Sequence, residues 1–181
     1  MVSFLSLNAA AAAFCLFAQM GLSSARAADE NRGQLASSDY KFAAEATRAN
    51  TEEINLGQLA AQKATDPAVQ QFAQRMVQDH TKANQQLSQI ISQKGTTLPS
   101  TTTTSQERET DRLAKLSGVD FDKAYIEHMV KCHKKDVKEF QKAADNANDS
   151  DLKAFAANTL PTLQEHLQMA ENTEAALKGK R

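Results

Sequence analysis

Residues 69–90 read VQQFAQRMVQDHTKANQQLSQI, and this stretch decides the fold. Its apolar residues are separated by three, four or seven positions, which is the spacing of one face of an α-helix. They are Val69, Phe72, Met76, Ala83, Leu87 and Ile90. Asp66 can cap the helix, Pro67 suits its first position, and Gly95 ends the pattern. We therefore predict an amphipathic helix over residues 67–94.

The same helical period recurs in three further segments of the chain. The predicted long helices are 38–64, 121–146 and 151–178. A capping-box pattern, Thr104-Ser105-Gln106-Glu107, predicts a short helix over residues 105–117. Gly118 is expected to end that helix, Asp120 to cap the next one, and Pro161 to kink the last.

Two parts of the chain align with each other without a gap. Residues 57–73 match residues 140–156 at Gln58/Gln141, Ala60/Ala143, Ala61/Ala144, Ala64/Ala147, Asp66/Asp149, Phe72/Phe155 and Ala73/Ala156. Each part spans a helix end, a turn and a helix start, so the repeated unit is a helical hairpin. About 25 residues join the two hairpins, enough to run the length of a bundle. We predict an all-α fold, a ferritin-like four-helix bundle of two antiparallel helical hairpins, with a short extra helix in the long crossover connection.

The composition is that of a helical globular domain. Hydrophobic residues make up 41% of the 181 residues and charged residues 24%, while glycine and proline are few. The formal net charge is −1 at pH 7 with both signs interspersed, so we expect no nucleic-acid partner. No nucleophile stands beside a base and no glycine-rich phosphate loop occurs, which favours a non-catalytic protein.

The N-terminal sequence predicts an export signal. Residues 4–22 are apolar and uncharged, and Ala25-Arg26-Ala27 has the small-x-small form of a signal-peptidase site. We predict a signal peptide over residues 1–27, a polar leader over residues 28–37 and the bundle domain over residues 38–178. Cleavage would leave the protein in the periplasm without a transmembrane span. Because no Lys or Arg precedes the apolar run, an uncleaved N-terminal anchor is the alternative.

Three segments carry specific motifs. They are Phe72-Ala-Gln-Arg-Met-Val-Gln-Asp-His80, Leu116-Ser-Gly118 with Phe121-Asp122, and Thr159-Leu-Pro-Thr-Leu-Gln-Glu-His166-Leu. These motifs resemble an uncharacterised family of exported bacterial proteins, a domain of unknown function whose members are often labelled outer membrane proteins. The resemblance extends from about Tyr40 to Leu177. It implies a ferritin-like bundle, export, and association with the outer membrane or an envelope protein, but no established activity.

Three histidines each lie one helical turn from a methionine. Counted from the hairpin turns at about 1.5 Å per residue, these histidines and Glu53 all lie near mid-bundle. Helical bundles build metal sites from facing polar side chains, and imidazole suits copper and zinc. The predicted ligands are His80, His133, His166 and Glu53, with Met76, Met129, Met169 and Cys132 as further soft ligands.

The same residues also have a structural interpretation without a metal. Histidines near an apolar helix face commonly bond to carbonyls or carboxylates, and Asp79, Asp136 and Glu165 are available partners. The methionines would then fill space in the core, and Cys132 would be a small buried hydrophobe. We expect Glu127-His128 to face solvent.

The sequence leaves three functions open. The first is an exported, non-catalytic binding or envelope-stress protein of unknown role. The second is a periplasmic copper- or zinc-binding protein with a histidine cluster at mid-bundle. The third is an envelope protein-interaction module, which would expose a large apolar patch. Di-iron chemistry is disfavoured because the Glu-x-x-His spacing of ferritin-like di-iron sites is absent.

Overall fold

The computed structural model of the protein describes residues 35–99 and 102–179. These residues form five α-helices and no strand. The helices are α1 (Ser37–Lys63), α2 (Pro67–Gln93), α3 (Thr104–Ala114), α4 (Gly118–Asn146) and α5 (Ser150–Leu177). The predicted signal peptide, and the predicted leader up to residue 34, lie outside the described residues.

The four long helices form two antiparallel hairpins, α1–α2 and α4–α5, which pack α1 on α4 and α2 on α5. Lys94, after the end of α2, bonds to Asp149 and Asp151 at the start of α5. At the opposite end of the bundle, Lys63 of α1 donates to the carbonyl of Ala114, the last residue of α3. The connection from α2 to α4 therefore runs the length of the bundle and carries α3. The predicted all-α bundle with one long crossover is confirmed.

The capping box of α3 lies one residue earlier than the sequence pattern predicted. It is formed by Thr103 and Gln106, not by Thr104 and Glu107. The cause is a tertiary contact, because the Gln106 amide also donates to a Glu52 carboxylate oxygen on α1 at 2.6 Å. One side chain thus caps α3 and ties it to the bundle.

Gly95, Gly118 and Pro161 were each predicted to end or kink a helix, and their positions in the structure differ. Gly95 follows α2 with a positive φ of 65°, in agreement with its predicted role as a helix stop. Gly118 has a φ of 57° but is the first residue of α4, so Asp120 lies in the first turn and does not cap the helix. Pro161 lies inside α5, which continues beyond it to Leu177.

The core consists of two apolar clusters with polar residues between them. The cluster near the α1–α2 turn includes Leu56, Phe72, Met76, Tyr125 and Met129. The cluster at the other end includes Ala43, Leu87, Phe140, Leu152 and Phe155. Along each long helix, buried polar residues separate the two. This polar layer comprises Asn50 and Glu53 of α1, His80 of α2, His133 and Asp136 of α4, and His166 of α5.

Each hairpin turn is capped by a buried aspartate from the other hairpin. Asp122 of α4 accepts from the backbone N–H groups of Thr65 and Asp66 and from the Thr65 hydroxyl, at 2.6–3.2 Å. Asp39 of α1 likewise accepts from the backbone N–H groups of Asn148 and Asp149. Asp39 and Asp122 are 83 positions apart, the same offset that aligns the two hairpins in the sequence. The repeat is therefore a pseudo-two-fold symmetry of the fold.

This cap gives a test of the architecture. We expect Asp122→Ala to lower the free energy of unfolding by about 1–3 kcal/mol, because backbone donors at the α1–α2 turn lose their acceptor. Urea denaturation followed by circular dichroism measures the change. The matched control is Asp120→Ala, an exposed aspartate in the same helical turn. Equal effects of the two substitutions would contradict the proposed capping role.

Candidate metal centre

Three buried imidazoles meet in the polar layer. His80, His133 and His166 are at most 2% exposed. Their ring centroids lie 5.4–5.6 Å apart. One nitrogen from each ring lies within 4.8 Å of the nitrogens from the other two. The sequence prediction that these residues share one height of the bundle therefore corresponds to direct proximity, and we call the three the inner site.

Two of these rings are held by neutral acceptors on their outer side. The His133 Nδ1–H donates to the carbonyl of Met129 one turn earlier, at 2.9 Å. The Asn50 Oδ1 lies 2.9 Å from His80 Nδ1, while the Asn50 amide group donates to Asn84. A carbonyl oxygen only accepts, so both Nδ1 atoms carry the proton. The Nε2 lone pairs of both rings are left free.

The third ring is held by a charged partner. His166 Nε2 lies 2.9 Å from a carboxylate oxygen of Asp79, which also pairs with Arg75. Burial alone would raise the pKa of Asp79, but hydrogen bonds from Arg75 and His166 bring it below its ordinary value. An ionised carboxylate only accepts, so His166 carries its proton on Nε2. Its Nδ1 lone pair is left free.

The free nitrogens are buried without a partner. His80 Nε2, His133 Nε2 and His166 Nδ1 have no hydrogen-bond partner among the described residues. Buried polar atoms in proteins are normally satisfied by protein groups, ordered water or an ion. Three lone pairs from three helices, each on a ring whose other nitrogen is held by an acceptor, form the donor arrangement of a histidine metal site.

The imidazoles of the inner site are neutral near pH 7. Burial, and secondarily the charges of the other two histidines, holds the pKa of His80 well below its ordinary value. Burial lowers the pKa of His133 to about 4. Burial also lowers the pKa of His166, although its Asp79 partner acts in the opposite direction. Neutral imidazole is the form that binds a metal ion.

Glu53 lies on the proton-bearing side of the rings. Its carboxylate oxygens are 3.1 Å from His80 Nδ1 and 3.3 Å from His133 Nδ1, and neither makes a well-aligned hydrogen bond. Burial and the nearby charge of Asp136 raise the pKa of Glu53 well above its ordinary value. Burial also raises the pKa of Asp136, to about 7. Burial therefore disfavours the ionised form of both carboxyls.

The predicted soft ligands lie in two different places. Met76 and Met129 are fully buried in the apolar cluster near the α1–α2 turn, and Met169 packs against that cluster. Their role as ligands stays a prediction. Cys132 points away from the inner site, because its Sγ lies 3.3 Å from His128 Nε2 on the outer face of α4.

A second group of potential ligands was not predicted from the sequence. Ligand atoms of Glu52, His128 and Cys132, which we call the outer cluster, lie within 4.8 Å of one another. Glu127 is exposed as expected, but the expectation for His128 was wrong, since its side chain is only 17% exposed. Helix α3 covers this face through Glu109. The four-residue spacing of His128 and Cys132 was the one signal available in the sequence.

Comparisons with known proteins agree with this architecture. The model of a family described as a domain of unknown function, DUF4142, matches residues 24–173. The chain belongs to this family. The resemblance in the sequence motifs to an uncharacterised family is thereby confirmed. No curated protein sequence matches the chain.

Two solved structures are similar to this DUF4142 chain. One is a DUF305 fragment from Deinococcus radiodurans, with 12% identity, a TM-score of 0.70, and coverage of 78% of this chain and 98% of the fragment. The other is a DUF305 protein from Streptomyces coelicolor whose name proposes that it is secreted. It has 14% identity, a TM-score of 0.66, and coverage of 78% of this chain and 94% of its own. These likenesses show a shared helical-bundle fold. Among the described residues of this chain, no helix is long and apolar enough to cross a membrane.

The buried histidines predict a pH dependence of stability. In the metal-free protein the pKa of His133 is about 4 when folded, against about 6.5 when unfolded. As the pH falls from 6.5 to 4, the unfolded state takes up a proton that the folded state does not. The free energy of unfolding therefore decreases as the pH is lowered, by about 1.4 kcal/mol per pH unit for this residue.

The variant His133→Gln isolates this contribution because glutamine does not titrate. His80, His166, Glu53 and Asp136 face the same ring and titrate in both proteins. We expect the stability of the wild type relative to the variant to fall by roughly 3 kcal/mol between pH 7.5 and pH 4. Urea denaturation in the presence of a chelator measures both curves. Parallel curves would show that His133 is not held neutral in the fold.

Proposed function

We propose that this chain is an exported protein that binds one copper or zinc ion at the inner site. The observation that carries the proposal is the set of three buried, unpartnered lone pairs on His80, His133 and His166. Leaving three such acceptors unsatisfied would cost the fold several kcal/mol, roughly 1–3 for each. A bound cation satisfies all three at once, and a metal that binds only the folded state also stabilises it.

The donor set favours copper or zinc over the harder metals. Three imidazole nitrogens match the preferences of zinc and copper, whereas magnesium and calcium prefer carboxylate and carbonyl oxygens. The nearest carboxylate, Glu53, lies beside the Nδ1–H groups of His80 and His133. A di-iron centre requires several carboxylate ligands, whereas the ligand cluster of the inner site consists of three histidines.

Glu53 fits the role of an outer partner better than that of a direct ligand. It lies beside the Nδ1–H groups of His80 and His133, where its ionised form would raise the basicity of their free nitrogens once a cation is bound. Glu53 and Asp136 together also provide negative charge that can balance a buried cation. The three methionines remain candidates for an additional soft ligand.

Export and periplasmic location belong to the same proposal. The apolar N-terminal segment and its Ala25-Arg26-Ala27 site support export. The structural similarity to a Streptomyces coelicolor protein whose name proposes secretion is consistent with it. The alternative of a docking module has weaker support, since Tyr40 is the only large hydrophobic residue exposed among the described residues. Association with the outer membrane remains a further proposal without a residue assigned to it.

Metal content tests the inner site. We expect protein purified from the periplasm, without chelators or nickel resin, to contain copper or zinc by mass spectrometry. The double variant His80→Gln with His133→Gln should contain one equivalent less than the wild type, because two of three ligands are lost. The control is Leu163→Val, a core change one turn from His166 that leaves every ligand in place.

Circular dichroism establishes that the variants fold before their metal content is compared. Loss of one equivalent in the double variant alone supports the proposal. Equal metal content in the double variant and the Leu163→Val control, or wild-type protein without copper and zinc, refutes it.

A further inference from the structure

The outer cluster has the geometry of a second metal site. His128 Nε2 lies 3.2 Å from Glu52 Oε1 and 3.3 Å from Cys132 Sγ. His128 and Cys132 are one turn apart on α4, and Glu52 faces them from α1. The three potential ligand atoms therefore come from two packed helices. They combine nitrogen, sulfur and oxygen, the donors that zinc accepts together.

Further residues orient these ligands. On the other side of the His128 ring, Nδ1 lies 3.2 Å from a Glu109 carboxylate oxygen, and Glu109 is itself held by Arg112 at 2.6 Å. Glu109 also accepts from Arg112 Nε at 2.9 Å, so the guanidinium fixes the carboxylate beside the His128 ring. In the tautomer with its proton on Nδ1, His128 donates to Glu109 and presents its Nε2 lone pair to a cation bound beside Glu52 and Cys132. This carboxylate–histidine arrangement is typical of zinc sites.

Glu52 is oriented in the same manner. Its Oε2 accepts from the Gln106 amide of α3 at 2.6 Å, while its Oε1 faces His128. Gln106 also forms the capping box of α3, so the folding of α3 positions this carboxylate. The short helix in the crossover thus supplies both outer supports, one for the imidazole and one for the carboxylate.

The outer cluster opens on a groove between α1, α3 and α4 with a volume of about 760 Å³. The groove is also lined by Glu53 and Asp136. These two carboxyls are at least nine-tenths buried and have oxygen atoms without a hydrogen-bond partner. The groove therefore provides space for a cation with its water, and unpartnered acceptors beside it.

We propose that Glu52, His128 and Cys132 bind a divalent cation of the zinc type, with Glu109 as a positioning residue and the groove providing the open coordination position. This site is separate from the inner site. Cys132 lines the groove while the next residue, His133, belongs to the inner site. Glu52 lines the groove next to Glu53, which lies between the groove and the Nδ1 atoms of His80 and His133. The outer site differs from the inner one in having a cysteine sulfur, which binds a metal as the thiolate and then gives the site a distinct spectroscopic signature.

Cobalt(II) is the probe, because it replaces zinc and shows a charge-transfer band only when a thiolate binds it. The purified protein is stripped of metal, kept reduced and titrated with cobalt(II). We expect the band in the wild type and its loss in Cys132→Ser and in His128→Gln. Zinc should displace the cobalt and abolish the band. The control His166→Gln, which alters only the inner site, should keep it.

Glu109→Ala tests the positioning role. We expect it to weaken cobalt binding by about 10- to 100-fold while leaving the wavelength of the band unchanged, because the ligands themselves remain. A shifted band in Glu109→Ala would contradict the positioning role, because it would mean that the set of ligands has changed. An unchanged affinity in Glu109→Ala would overturn its role.

The stoichiometry separates this proposal from the inner site. No band in the wild type, or a band that survives Cys132→Ser, overturns the outer site. One bound cobalt with a band supports the outer site and counts against the inner one. One bound cobalt without a band supports the inner site and overturns the outer one. Circular dichroism of Cys132→Ser establishes that loss of the band is not loss of the fold.

Discussion

The burial of three neutral imidazoles at mid-bundle is the constraint on which the rest of the structure depends. Each ring donates a hydrogen bond through one N–H to an acceptor: Asn50, the Met129 carbonyl or Asp79. The free nitrogens are consequently left in the interior. Apolar clusters lie on both sides of the polar layer along the helices, which keeps its groups away from bulk water. In such surroundings a partner for these nitrogens is worth more than it would be in water.

The internal repeat provides the scaffold, and the inner site lies where the repeat is broken. The offset of 83 positions relates Asp39 to Asp122 and Glu53 to Asp136, so the capping aspartates and the buried acids occur in both halves. The histidines do not follow it. His80 corresponds to Leu163, His133 to Asn50 and His166 to Ala83. A duplicated hairpin thus accounts for the bundle, while substitutions in each half account for the three imidazoles.

The two candidate sites arise from the helical period. Successive residues of an α-helix point about 100° apart, so Glu52 faces His128 while Glu53 lies beside His80 and His133. Cys132 and His133 divide in the same way on α4. The crossover helix α3 then determines the environment of the outer side, through Gln106 and Glu109. Without α3, Glu52 and His128 would be ordinary surface residues.

The helices, their pairing into hairpins and the height of the histidines were all predictable from the sequence, because helical period and rise are local properties. The start of α3 was misplaced by one residue, where Gln106 also contacts Glu52. The end of α3 and the start of α4 were misplaced by three residues each. Only the tertiary structure decided the rotation of each helix about its own axis. That rotation brings the three rings together, places Glu53 beside the Nδ1 atoms of His80 and His133, and sets Glu52 against His128. Such contacts join residues up to 87 positions apart, as His166 and Asp79 are, and no local pattern specifies them.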